Sequence, residues 1–427
     1  MKVLWVINRP INPMKKMLGQ DSISTSGSWL DTAYNLLVEQ DNIELVVATI
    51  DNVKNFLYKK EGSTSFYIFP SRGSTLNYRI DSNENKKDWE YLKQKENPDL
   101  IQIWGTEFPH SMLTANVFKD KTIVVYMQGM VSQISKHYLS GLDEKELNSS
   151  LTIRDFIRRD TIKQQKKKFL RRAENENELL KLSNFVIVEN NWCAINCKII
   201  NPDIQVIYSN LPINEEFFNH YWDKNKIEKN SIMTIAGGYP IKGLHVLLKA
   251  LTIVKKEIPD FKLYIPGRPL FSRKNILDKI KKNGYDKILE DIILQNNLKE
   301  NLVFMGNLSQ KQMAHRMSIS NIFVMPSSIE NHSSSLIEAM IVGMPCIASN
   351  VGGVSELIQN NVNGFVYRFE EYEVLAYHMI NLLKNDDKAY ELGFNAQKIR
   401  NIRGNQKLGK ELSEIYKKIL RWDLPNT

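Results

Sequence analysis

Short apolar runs alternate along the chain with stretches of helical period, the pattern of parallel strands joined by crossover helices. In the first half VLWVIN (3–8), IELVVATI (43–50), SFYIF (65–69), LIQIWG (100–105), TIVVYM (122–127), FVIVE (185–189) and QVIYS (205–209) read as strands. From Leu142 to Ser183 a highly charged stretch carries apolar residues at Ile153, Phe156, Ile157, Phe169 and Leu170, and reads as one or two helices. The pattern breaks between Leu211 and Asn230, where Pro212 is followed by FFNHYW and the polar run DKNKIEKN. Strands resume with SIMTIAGG (231–238), KLYIPG (262–267), LVFMG (302–306), IFVMP (322–326), PCIAS (345–349) and GFVY (364–367). The expected organisation is α/β, with two Rossmann-like, doubly wound domains facing across a cleft. They cover residues 1–212 and 231–404, joined by a linker at 213–230, and a helix in 405–427 is expected to cross back onto the first. Open parallel sheets bind ligands outside the carboxyl ends of their strands.

Composition narrows the setting. No apolar run among the 427 residues is long enough to span a bilayer. The opening MKVLWVINRP turns polar too soon for a secretory signal, so a cytoplasmic protein is expected. Cys193, Cys197 and Cys346 form no Cys-x-x-Cys pair, which disfavours zinc and a disulfide framework. The net charge of +9 favours anionic partners such as a nucleotide sugar or an acidic membrane surface. No nucleic-acid signature is present, so nucleic acid is not an expected partner.

The chemistry concentrates in IFVMPSSIENHSSSLIEAMIVGMPCIASNVGGVSELIQNNVNGFVY, residues 322–367. A strand ends at Pro326, a loop presents Glu330, and a helix runs from near Ser333 to Gly343, with Pro345 barring its continuation. Ser333, Ser334 and Ser335 place hydroxyls and backbone amides at a helix N-terminus, a natural anion site. Glu338, one turn further, can accept two hydrogen bonds from a vicinal diol such as a ribose. Gly352 and Gly353 allow close approach of the backbone to a ligand.

This string resembles glycosyltransferase family 4, with its Glu-x7-Glu signature at Glu330 and Glu338, then Ala339-Met340, Gly343-x-Pro345 and the Gly352-Gly353 turn. The resemblance implies a GT-B fold, a nucleoside diphosphate sugar (UDP- or GDP-linked) as donor, and transfer with retention. It gives Glu338 the donor ribose and Glu330 the transferred sugar. In AGGYPIKGLHVLLKAL, Lys242-Gly243 matches the family's diphosphate-gripping lysine and glycine, while Gly237, Gly238 and Tyr239 stand where its arginine would fall. Arg268 is the candidate substitute, and Gly27, Gly238 and Gly306 join the donor-side candidates. Loosely, the first half resembles the acceptor half of bacterial polysaccharide members, which makes Thr106, Glu107, His110 and Gln128 acceptor-side candidates.

Gly-x-Gly-x-x-Gly and Gly-x4-Gly-Lys-Ser/Thr are missing, which disfavours dinucleotide dehydrogenases and P-loop enzymes. An Asp-x-Asp triplet is missing too, so no metal cofactor is expected and Lys242 with helix-end dipoles must neutralise the leaving diphosphate. The implied acceptor is a growing bacterial surface polysaccharide or lipid-linked glycan. Two other readings remain open: a nucleotide-sugar epimerase or hydrolase on the same scaffold, and a non-catalytic subunit of a transferase complex. Finally, KQQKKKFLRR places Lys163, Lys166, Lys167, Lys168, Arg171 and Arg172 together. This run is either a solvated helix face or a patch that docks the protein on the anionic inner face of the membrane.

Overall fold

The computed structural model describes residues 1–20, 28–40, 42–71, 83–268, 270, 282–404 and 408–422. Its central strands carry apolar runs buried on both faces, as parallel strands covered by helices require. β1 (Lys2–Ile7), β2 (Glu44–Asp51), β3 (Leu57–Glu61), β4 (Thr64–Pro70), β5 (Leu100–Trp104), β6 (Thr122–Tyr126), β7 (Phe185–Val188) and β8 (Gln205–Tyr208) build one sheet. Its order is β3-β4-β2-β1-β5-β6-β7-β8, parallel except where β3 meets β4. β9 (Glu228–Met233), β10 (Lys262–Ile265), β11 (Leu302–Phe304), β12 (Ser320–Met325), β13 (Cys346–Ser349) and β14 (Phe365–Tyr367) build a second, parallel sheet in the order β11-β10-β9-β12-β13-β14.

The chain divides into two compact units, Met1–Gln133 with Lys168–Ile213 and Gly404–Thr427, and Ile134–Lys167 with Asn214–Arg403. In the first, helix Leu408–Trp422 packs on the sheet, and Trp5 Nε1 donates to Tyr416 Oη at 2.9 Å. This division departs from the expected boundaries twice. Residues 214–230 are no linker: Phe217 is buried and Trp222 Nε1 donates to Ser320 O at 2.7 Å, which ties the segment to the second sheet. Residues Ile134–Lys167 also belong to the second unit. There Lys249 Nζ reaches Glu146 Oε1 at 2.8 Å, and buried His245 holds Ser140 O at 2.9 Å through Nε2. The charged stretch from 142 to 183 forms three helices rather than one or two: Glu144–Ser149, Ile153–Arg158 and Ile162–Leu182. Cys193, Cys197 and Cys346 are buried thiols.

Candidate active site

In the second sheet the strand order reverses between β9 and β12, which hydrogen-bond to each other, so the loops leaving their carboxyl ends lie side by side. The β9 loop ends in a 3-10 turn, Pro240–Lys242, closed by Gly243 at φ 69°. A Cβ at Gly243 would fall 1.7 Å from Pro326 O. Glycine therefore lets helix Leu244–Glu257 begin directly against the end of β12. The Ser328 N–H donates to Ile241 O at 2.8 Å and pins the two loops. Lys242 Nζ is thereby set 2.6 Å from Glu330 Oε1, and Ser327 Oγ donates to the same oxygen at 2.6 Å. Burial works against the Lys242 ammonium, but the Glu330 carboxylate outweighs it and holds its pKa above the ordinary lysine value.

Beyond Glu330, Ser333 caps helix Ser334–Val342 by accepting from the Leu336 N–H, and Gly343 ends it at φ 87°. Ser333 Oγ and Ser335 Oγ are 3.2 Å apart at the mouth of the helix. Ser334, the first helical residue, and Glu338 lie one turn apart. Glu338 is half-buried and makes no side-chain hydrogen bond or ion pair among the described residues. Burial pushes its carboxyl up to about 8. The Gly352-Gly353 turn serves a different end from the one expected. A Cβ at Gly352 would fall 1.8 Å from Glu330 O, and the Gly353 N–H donates to that oxygen at 3.1 Å. The pair thus admits the backbone of Glu330 and fixes it.

The other donor-side candidates are more scattered. Gly238, at φ 79°, and Gly306, at φ 66°, face open space, and Gly306 O accepts from the Gly267 N–H at 2.7 Å. Arg268, past the end of β10, donates from Nη2 to Asp286 Oδ2 at 2.7 Å. Its guanidinium is exposed but already holds a carboxylate. Gly27 lies outside the described residues.

In the first unit, most of the acceptor-side candidates are tied into the scaffold. Thr106 Oγ1 donates to Glu176 Oε2, and the same buried carboxylate accepts the Val131 and Ser132 N–H groups at 2.9 and 2.8 Å. His110 is buried with Nε2 3.2 Å from Ile7 O, and burial lowers its pKa to about 4, so the ring is neutral. Glu107 stands apart. It is half-buried, accepts from Asn8 Nδ2 at 2.7 Å, and burial foremost, with the Glu176 charge adding, raises its pKa to about 7. Gln128 is half-buried just past β6. Two residues were not singled out from the sequence: Ser327, one of several serines in a loop, and Glu176, which sits in an ENENE run that reads as solvated surface.

Residues 216–399 match the family model "Glycosyl transferases group 1". Among curated relatives, the Spore coat protein SA of Bacillus subtilis is 28% identical over 181 residues, covering 42% of this chain and 46% of that protein. The Amylovoran biosynthesis glycosyltransferase AmsK of Erwinia amylovora is 23% identical over 272 residues, or 62% of each chain. The chain thus spans about half the length of the curated relatives it matches. Sucrose-phosphate synthase from Thermosynechococcus elongatus superposes with a TM-score of 0.71 at 14% identity, over 99% of this chain and 100% of that one. Anabaena HepE, solved in complex with UDP and glucose, does so with a TM-score of 0.63 at 16% identity, over 98% and 100%. The chain therefore has the GT-B fold, and its residues 216–399 match the Glycosyl transferases group 1 model.

Proposed function

We propose that the chain is a retaining glycosyltransferase, moving a sugar from a nucleoside diphosphate sugar to a hydroxyl of a growing surface polysaccharide or lipid-linked glycan. The observation that carries this reading is Glu338, a carboxyl with no side-chain partner among the described residues, one turn inside a helix whose N-terminus follows the Lys242–Glu330 pair. A ribose diol supplies the two donors that Glu338 lacks. The amides and hydroxyls of Ser333, Ser334 and Ser335, together with Lys242, take the diphosphate, and Glu330 takes a hydroxyl of the transferred sugar. Gly238 and Gly306 let the backbone approach the donor, and Arg268 supplies a second cation. The relatives named for polysaccharide biosynthesis and the UDP complex of HepE support donor and acceptor classes of this kind.

In this reaction the bond between the anomeric carbon and the diphosphate oxygen breaks, and its electron pair stays on the diphosphate beside Lys242. The acceptor oxygen attacks the same face, and its proton passes to the departing diphosphate. No step needs a metal. Thermal unfolding with UDP and GDP, with and without EDTA, tests the reading. One nucleotide is expected to raise the midpoint by mass action whether or not EDTA is present. A shift from neither, or one abolished by EDTA and restored by magnesium or manganese, overturns it.

A further inference from the structure

Helix Ile153–Arg158 turns the usual placement of polar and apolar side chains inside out. Asp155 is 1% exposed, whereas Ile153, Phe156 and Ile157 are 71%, 82% and 72% exposed, and Leu151 just before them is 56% exposed. The burial of Asp155 has a clear cause. Its Oδ2 accepts the Gly284 N–H at 2.6 Å, at the start of helix Gly284–Gln295, and its Oδ1 accepts from Arg154 Nη1 at 2.7 Å. Thr152 caps the short helix by accepting from the Asp155 N–H. The carboxylate thus locks the helix to its unit, and the lock holds a compact set of large apolar side chains in water. Exposed apolar patches of this kind mark surfaces that bind something.

The charges around the tip say what it binds. Within residues 151–160 the acidic side chains are the buried Asp155 and the half-buried Asp160, and both lie beside Arg154, at 2.7 and 3.9 Å. Arg158 and Arg159 are exposed and form no ion pair among the described residues. Lys166, in the next helix, lines an open depression of about 410 Å³ in which two further cations, Lys136 and Arg368, outnumber one carboxylate, Glu370. The basic run at 163–172 does not act alone, because Lys163 is paired with Glu144 and the Arg172 guanidinium lies over the Phe169 ring. A fixed apolar tip with a cationic rim matches the interface of an anionic bilayer, where apolar groups enter the headgroup boundary and cations meet lipid phosphates.

We propose that this tip docks the protein on an anionic lipid surface, with Ile153, Phe156 and Ile157 entering the boundary and Arg158, Arg159 and Lys166 facing the phosphates. The proposal stands apart from the sugar-transfer reading and survives its failure. Co-sedimentation tests it, with vesicles of phosphatidylglycerol or phosphatidylcholine. The proteins compared are the wild type, a Phe156→Asp/Ile157→Asp variant and an Arg158→Glu/Arg159→Glu variant. The wild type is expected to bind phosphatidylglycerol at least tenfold more tightly than phosphatidylcholine. The tip variant loses at least tenfold at every salt concentration, and the charge variant loses the preference for phosphatidylglycerol. Because the substituted side chains are exposed, unfolding midpoints are expected to stay unchanged, and a Phe156→Ser variant repeats the measurement if the double variant misfolds. The proposal is overturned if the wild type fails to bind at low salt or if the tip variants bind equally well. A dimer in lipid-free solution that the tip variants lack overturns it too, since a second copy would then cover the tip.

Discussion

Each sheet reverses its strand order at one point, and each reversal carries a carboxylate, but the two are met by different neighbours. In the second unit β9 and β12 deliver Lys242 and Glu330, which form an ion pair. In the first unit β1 and β5 deliver Asn8 and Glu107, joined by a hydrogen bond from a neutral amide. Both meetings depend on a glycine at the loop. Gly243 lies against Pro326 O, and a Cβ at Gly105 would fall 2.5 Å from Asn8 Nδ2. Topology thus places a polar pair at the same point of each sheet, while the neighbour decides its charge. A cation beside a carboxylate keeps a fixed dipole of charges. An amide offsets burial only in part, and the Glu107 pKa is raised to about 7.

The largest effect is expected from removing the cation. Lys242→Ala should lower turnover by about 10²-fold or more, the scale of losing one preorganised charge stabiliser. Steady-state kinetics with the cognate donor would measure it, and a loss below threefold would make the pair structural. Next comes Glu338→Gln, which should weaken nucleoside diphosphate binding by roughly 1.5–3 kcal/mol through lost charge-assisted hydrogen bonds, read by calorimetry. The raised pKa adds a pH signature. Without ligand Glu338 is protonated below about 8, and a diol prefers the carboxylate, so affinity should rise as pH climbs towards 8 and then level off. The stability of the ligand-free protein should move the other way. The folded state holds a proton that the unfolded state releases above the ordinary glutamate pKa, so stability falls as pH rises through about 8. Glu338→Gln should flatten both slopes.

The second unit was the more legible in sequence, for a physical reason. The helix after Glu330 makes its local structure from local residues: Ser333 as cap and Gly343 as terminator. Each is readable from a few neighbouring positions. What escaped reading depends on distant partners. β3 escapes the sequence pattern because LYKKE is a polar edge strand, paired among the described residues with β4 alone. The transfer of Ile134–Lys167 to the second unit rests on contacts such as Asp155 to Gly284 and Ser140 to His245, which have no local signature. Thr106 and His110 were read as site residues because they follow a strand end. Their partners, Glu176 and the Ile7 carbonyl, come from 70 and 103 residues away.

The same contrast yields a third test inside the first unit. Glu107→Gln should lower kcat/KM for the acceptor by about tenfold, the worth of one hydrogen bond to a charged group, without changing nucleotide affinity. Wild-type kcat/KM should rise with pH through about 7 as Glu107 ionises, and the Gln variant should lose that rise. An unchanged profile would take Glu107 out of the acceptor site.

The smallest effect belongs to Thr106. Its hydroxyl satisfies one oxygen of a buried carboxylate that also accepts the Val131 and Ser132 amides at the start of helix Val131–His137. Burial raises the Glu176 pKa despite these bonds, so the carboxylate has little hydrogen bonding to spare. Thr106→Val keeps the shape and removes one donor, which should cost about 1 kcal/mol of stability in denaturant unfolding. Turnover should stay within threefold, because the side chain faces Glu176 rather than a substrate. The reverse outcome, unchanged stability with turnover reduced a hundredfold, would return Thr106 to the acceptor site.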